Sequence, residues 1–243
     1  MTAALPPPFD LVALDCTDST NDEARRRALQ GAGHGTVVWA KEQTAGRGRR
    51  GRTWVSPPGN LHCSVLLHPG PSMPDAPQLA FVAAVALREA LAELAPAAVF
   101  QCKWPNDILC GGRKVAGMLL EAAAPWIILG VGVNLAQAPD PALYPTTCLR
   151  QAGSGAVAFD VLAGFCDRLA VWYERWVSEG FAPLRAAWLA HGCGLGGPVT
   201  VRFANDTTME GRFFGLDERG ALLLDRPDGS RYPVLAGDVF FGT

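Results

Sequence analysis

A chain of 243 residues, 49% hydrophobic and 18% charged, falls in the ordinary globular range and has room for one sizeable core plus a small appended module. Its formal net charge of −2 excludes a general attraction to nucleic acid or anionic membrane, so any positive field has to be local. The most apolar stretch, residues 79–94, is broken by Arg88, Glu89 and Glu93 and falls short of the roughly 20 apolar residues of a membrane span.

In chain order, residues 20–29 read as a first helix, with Thr20 and Glu23 spaced as a capping box and Gly31 placed to end it. Residues 36–40 are a β-branched run expected as a buried strand, and residues 61–67 alternate Leu61, Cys63, Val65 and Leu67 on one face. Residues 79–94 have the length and apolar coverage of a buried helix closed by Pro96, and residues 99–104 follow as a strand. Residues 107–110 and 114–121 flank Gly111 and Gly112, which predicts a β-hairpin with a primed turn. Residues 126–133 give another strand, and Leu162, Phe165, Leu169, Trp172 and Trp176 mark one face of a long amphipathic helix.

After about Leu195 the texture changes to short strand-like runs at 199–203, 209–216, 221–224 and 231–234, separated by AsnAsp, AspGluArgGly and ProAspGly turns. The expected fold is therefore α+β. A mixed β-sheet backed by helices occupies residues 1–192, and a small SH3-like β-barrel occupies residues 193–243. The seven cysteines are scattered and never spaced as CxxC, and the four histidines form no HExxH pattern. Reduced thiols and no dedicated zinc centre are expected. The first ten residues lack the basic end and apolar run of a signal peptide, which makes the cytoplasm the expected location.

Three segments carry chemistry. Residues 41–54, KEQTAGRGRRGRTW, interleave Arg47, Arg49, Arg50 and Arg52 with Gly46, Gly48 and Gly51. Glycine lets backbone approach an anion and each guanidinium can fork onto phosphate oxygens, so the loop suits a polyphosphate. A flexible RNA-binding tail has similar composition, but such tails are usually terminal, and this loop has strands on both sides.

KWPND at 103–107 and RKVAG at 113–117 bracket the glycine hairpin, so Asp107 and Lys114 can face one cleft. There a carboxylate could hold Mg²⁺ with bound phosphates, and a lysine could neutralise growing negative charge. Alone, such a pair is more often a turn residue and a solvated charge. Apolar Val115, Met118 and Leu119 argue against a wet face. GVGVN at 130–134 ends an apolar strand where a ligand can touch backbone, though a plain strand-end turn fits equally well. Ser19, Thr20 and Asn21 are likewise either helix caps or hydrogen-bonding groups.

The ordered set SerThrAsn, QTAGRGRRGRxW, GNLxxS, KWPND, GRKxAGxLxE and GxGxN resembles the biotin protein ligase family across most of residues 15–135. GRFFGLDERGALLL resembles that family's final SH3-like domain. The resemblance implies an enzyme that makes biotinyl-5′-AMP from biotin and ATP with Mg²⁺. It would then transfer biotin to a lysine of a biotin carboxyl carrier domain of a biotin-dependent carboxylase.

On this resemblance Ser19, Thr20 and Gln43 bond the ureido ring of biotin, and Asn21, Gly46, Arg47 and Gly130 belong to the same pocket. Arg49, Arg50 and Arg52 meet phosphates, Trp54 packs on adenine, and Asn134 pairs with its edge. Asn106 and Asp107 sit by the triphosphate and metal. Lys114 contacts both the biotin carboxylate and the α-phosphate, so that Lys114, Arg49 and Asp107 form the catalytic set. The amino-terminal DNA-binding segment that some members carry is not expected, since the chain starts a few residues before its first strand. Neither DNA nor membrane is an expected partner, and a homodimer is left open. A lipoate ligase shares the scaffold and adenylate chemistry but would not be expected to show GRGRRGR. A nucleic-acid-binding module is the alternative from another class.

Overall fold

Two β-rich stretches, Asp10–Thr17 (β1) and Thr36–Gln43 (β2), pair in parallel from Asp10↔Thr36 to Thr17↔Gln43. Parallel neighbours need a crossover, here a single helix, Thr20–Leu29 (α1). The structure, a computed structural model, describes residues 4–140 and 144–242. Five further strands follow: Leu61–Leu67 (β3), Phe100–Lys103 (β4), Asp107–Cys110 (β5), Arg113–Ala123 (β6) and Trp126–Val133 (β7). Together they make a seven-stranded mixed sheet of order β1-β2-β3-β7-β6-β5-β4, in which every pairing after the first is antiparallel.

Helices cover both faces, and β3 is consequently buried at every position. Leu61, Cys63, Val65 and Leu67, the face read from the alternation, join the main core with Leu79–Leu94 (α2) and Ala158–Glu179 (α3). Leu87, Leu91, Phe165 and Leu169 are fully enclosed there, each stabilising the fold by roughly 1.5–3 kcal/mol. On the opposite face Leu66 meets Ala24 of α1 together with Val38 and Ile128 in a separate, much smaller cluster. A further helix, Phe181–Ala190 (α4), follows α3 after Gly180, whose φ of 75° breaks the path.

The hairpin between β5 and β6 turns at Gly111 and Gly112, both left-handed with φ of 56° and 73°, as a primed turn requires. The capping box does not form. Ser19 is the residue that precedes the helix. Glu23 turns instead to Arg26 and Arg27 (2.7 Å each), and Thr20 turns inward.

The barrel expected at the carboxy-terminal end takes the form of a five-stranded antiparallel sheet of order β11-β10-β9-β8-β12. Its strands are Pro198–Arg202 (β8), Thr208–Leu216 (β9), Leu222–Asp225 (β10), Arg231–Val234 (β11) and Asp238–Phe241 (β12). It is bolted to the first unit by the Trp104 indole N–H donating to Gly220 O (3.0 Å) and by Trp188, fully buried between Phe81 and Phe213. No helix among the described residues is long and apolar enough to cross a membrane.

Candidate active site

A cavity of about 440 Å³ opens beside the start of α1. Ser19, Thr20 and Asn21 line one end and are all buried. The Thr20 amide and hydroxyl both donate to Gln43 Oε1 (2.8 and 3.0 Å), and Gln43 Nε2 donates to Ser56 Oγ (2.8 Å). Ser64 on β3 donates to Asn21 Oδ1 (2.6 Å), which leaves the buried Asn21 Nδ2 with no acceptor among the described residues. A buried donor without a partner costs free energy, so this amide is set up for a ligand acceptor.

Glycines clear the space. A Cβ on Gly130 would fall 2.4 Å from Asn21 Oδ1, and one on Gly132 would fall 2.4 Å from the Trp54 ring. One on Gly117 would lie 3.1 Å from Lys114 Nζ and 3.2 Å from Asp107 Oδ1. Gly46 sits behind the cavity, where a Cβ would strike Trp54 O and Ser56 Oγ.

The arginine-rich loop crosses the mouth. Arg47 pairs with Thr53 as an isolated bridge, and a single 3₁₀ turn spans Arg49–Gly51. Arg47 forms ion pairs with Asp22 and with Glu121 (3.3 Å). Arg49 donates to Asn106 Oδ1 (2.9 Å), while Arg50 and Arg52 donate to the two oxygens of Asp238 (2.9 and 2.8 Å). Asp238 opens β12, so the second sheet supplies the anchor of this loop. Burial pushes the Asp238 carboxyl up. The hydrogen bond from Arg52 and the charges of Arg52, Arg50 and Arg49 outweigh it and hold the pKa below the ordinary range. Burial likewise lowers Arg49, against Asp238 and Asp107, without bringing a guanidinium near neutrality.

Lys114 and the arginine loop converge. The Lys114 ammonium lies 2.7 Å from Asp107 Oδ1 and 5.5 Å from the Trp54 ring, in the same cavity as Arg47, Arg49 and Arg52. Three expected site residues stand apart from this wall. Gly46 packs behind it, and Arg50 faces Asp238. Asn134 lies outside the lining. Its Nδ2 donates to Thr147 O (3.2 Å), and its buried Oδ1 has no donor among the described residues.

Sequence reasoning passed over Ser56, Ser64, Lys103, Gly117, Gly132, Tyr144 and Asp238. Ser64 was visible only as the serine of GNLxxS, and Asp238 lies far along the chain from every motif.

No group of three or more metal-ligating side chains occurs among the described residues. Asp107 is a buried carboxylate whose Oδ1, though ion-paired, receives no well-directed hydrogen bond. One such carboxylate together with substrate phosphates is the usual way a protein holds Mg²⁺, so the donor set fits a metal that arrives with a nucleotide.

Residues 13–134 match the biotin/lipoate A/B protein ligase family, and residues 194–242 match the biotin protein ligase C-terminal domain. The chain is 43% identical to the biotin–[acetyl-CoA-carboxylase] ligase of Paracoccus denitrificans, over 93% of this chain and 98% of that one. This chain belongs to the biotin protein ligase family. Among other family members, the bifunctional ligase/repressor of Bacillus subtilis is 33% identical over 96% of this chain and 74% of its own length. The biotin protein ligase of Aquifex aeolicus, solved in complex with biotin and ATP, superposes with a TM-score of 0.85 at 28% identity, covering 96% of this chain and 98% of that one.

Proposed function

We propose that this chain is an ATP-dependent ligase that forms biotinyl-5′-AMP and passes biotin to a lysine of a biotin carboxyl carrier domain. The observation that carries the reading is one cavity with a neutral hydrogen-bonding end, Thr20–Asn21–Gln43, and a cationic end, Lys114 with Arg49 and Arg52. Biotin is built in the same way, with an uncharged ureido ring at one end and a carboxylate at the other. Ser19, Thr20, Asn21 and Gln43 receive the ureido group beside Gly130 and Arg47, and Gly46 shapes the wall behind. Trp54 packs on the adenine; a hydrogen bond from the base edge to Asn134 would require the cavity to open toward its buried Oδ1.

In the first step a biotin carboxylate oxygen attacks the α-phosphorus. Two anions must approach, and fixed cations at Lys114, Arg49 and Arg52 lower the electrostatic barrier without reorganising. Arg50 tightens the loop from outside. Mg²⁺, held by Asp107 beside Asn106, would supply further neutralisation of the triphosphate. In the second step an acceptor ε-amine attacks the mixed anhydride and releases AMP. The loop excludes water from the anhydride until then. We assign catalysis and ligand binding to residues 1–192, with residues 193–243 closing the phosphate end, and we place the reaction in the cytoplasm.

The test is biotin-dependent pyrophosphate release followed by label transfer to a carrier domain. Preference for lipoate over biotin would move the chain to lipoate ligation. Salt-dependent RNA binding without ATP turnover would replace the reading altogether.

A further inference from the structure

Lys103 begins KWPND and has no part in the mechanism above, yet it lines the cavity and is only 6% exposed. Its ammonium sits 3.5 Å from the centre of the Tyr144 ring and 5.6 Å from that of Phe241 on β12. Each of the other cavity cations already has a polar side-chain partner: Asp22 and Glu121 for Arg47, Asn106 for Arg49, Asp238 for Arg52, and Asp107 for Lys114. Among the described residues Lys103 has ring faces and no ion pair.

The sheet register gives its place. Lys103 pairs with Asp107, Asp107 with Gly117, and Gly117 with Gly132, so the four form one row across β4, β5, β6 and β7. Paired residues in antiparallel strands share a face, and strands lie about 4.8 Å apart, so the row spans about 14 Å. Trp54 covers Gly132 at one end, and the Lys114–Asp107 pair covers Gly117 in the middle.

We infer that Lys103, backed by Tyr144, binds the β- and γ-phosphates of ATP and holds the departing pyrophosphate. The inference rests on the biotin–ATP reading, in which the row runs from base to α-phosphate to leaving group. As the carboxylate oxygen bonds to the α-phosphorus, the bond from that phosphorus to the α,β-bridging oxygen breaks. Its electron pair stays on the pyrophosphate. A Lys103 N–H donates to that growing charge, with no proton transferred. Burial lowers the Lys103 pKa to about 8, a cost that an adjacent anion offsets.

The test separates the half-reactions in Lys103→Gln and Lys103→Arg. Adenylation by Lys103→Gln, read as kcat/KM for ATP, is expected to fall roughly 10- to 100-fold, and pyrophosphate inhibition to weaken by about as much. Transfer from supplied biotinyl-5′-AMP to a carrier domain, and inhibition by AMP, should stay within about twofold, with Lys103→Arg restoring most of the loss. A parallel fall in transfer, or full adenylation by Lys103→Gln, overturns the inference. Should the variant fail to fold, the unaltered protein still decides. Pyrophosphate should shield Lys103 from a lysine-acylating reagent, read by peptide mass, and unchanged labelling overturns the assignment. Absence of both half-reactions in the unaltered protein would instead sink the biotin–ATP reading.

Discussion

Gly132→Ala tests whether Trp54 is the base platform. Gly132 has no left-handed φ, so alanine meets no backbone penalty there. Its Cβ, however, would lie 2.4, 2.5 and 2.6 Å from Trp54 Cε2, Cζ2 and Nε1. Carbon–carbon contact is favourable at about 3.5–4.0 Å, so the indole has to retreat by about 1 Å. Base–aromatic stacking contributes roughly 1–3 kcal/mol per base, and a displaced ring should lose about half of it. At about 1.4 kcal/mol per tenfold, KM for ATP should rise roughly 2- to 12-fold. The biotin end is formed by Thr20, Asn21 and Gln43 and lies against Gly130, so biotin affinity should hold. Steady-state adenylation against ATP, with calorimetric titration of biotin, measures both. An unchanged KM for ATP, or an equal loss of biotin affinity, would refute the argument.

Lys114→Ala should reduce adenylate formation by at least about 10²-fold while leaving a cooperative thermal melt; unchanged pyrophosphate release would remove Lys114 from its role. Asp238→Asn removes the carboxylate shared by Arg50, Arg52 and Arg202. The guanidiniums are partly exposed and screened, so the loss should be about 1–2 kcal/mol in urea unfolding, with faster tryptic cleavage at Arg50; no change in either would show the loop to be held otherwise. Lys103 titrates near 8 in the folded chain against 10.5 ordinarily, so between these values the unfolded chain binds more protons. Stability should therefore rise with pH across that window, by about 3 kcal/mol at most, and Lys103→Met should flatten the rise.

Long apolar runs were readable: the spans expected at 79–94 and 126–133 coincide with α2 and β7, and the span at 20–29, expected from its end signals, coincides with α1. Local spacing misled where a tertiary partner was stronger. Thr20 and Glu23 have capping-box spacing, yet the site claims the Thr20 hydroxyl for Gln43, and two arginines claim Glu23. β1 and β12 went unread because neither alternates cleanly. β1 is a half-exposed edge strand, and β12 is four residues long. The strand at 99–104 shortens to Phe100–Lys103, and α4 was hidden in the tail of the preceding amphipathic pattern. The glycines of GVGVN were visible as residues, but their purpose is not. That the Gly130 and Gly132 positions must stay empty follows from Asn21 and Trp54, which are distant in sequence. The convergence of Arg49 and Asn106, or of Arg52 and Asp238, is equally a product of the fold.

The uneven cover of the large sheet has a mechanical consequence. α1 is seated through Ala24 on only Val38, Leu66 and Ile128, with a fringe of partly buried residues, whereas the other face carries nearly all the bulky packing. The helix that follows Ser19 and begins with Thr20 and Asn21 is thus mounted on the softer side of a stiff plate. Occupancy of the cavity adds contacts where intrinsic cohesion is least, and amide hydrogen exchange in α1 should slow on filling far more than in α2 or α3.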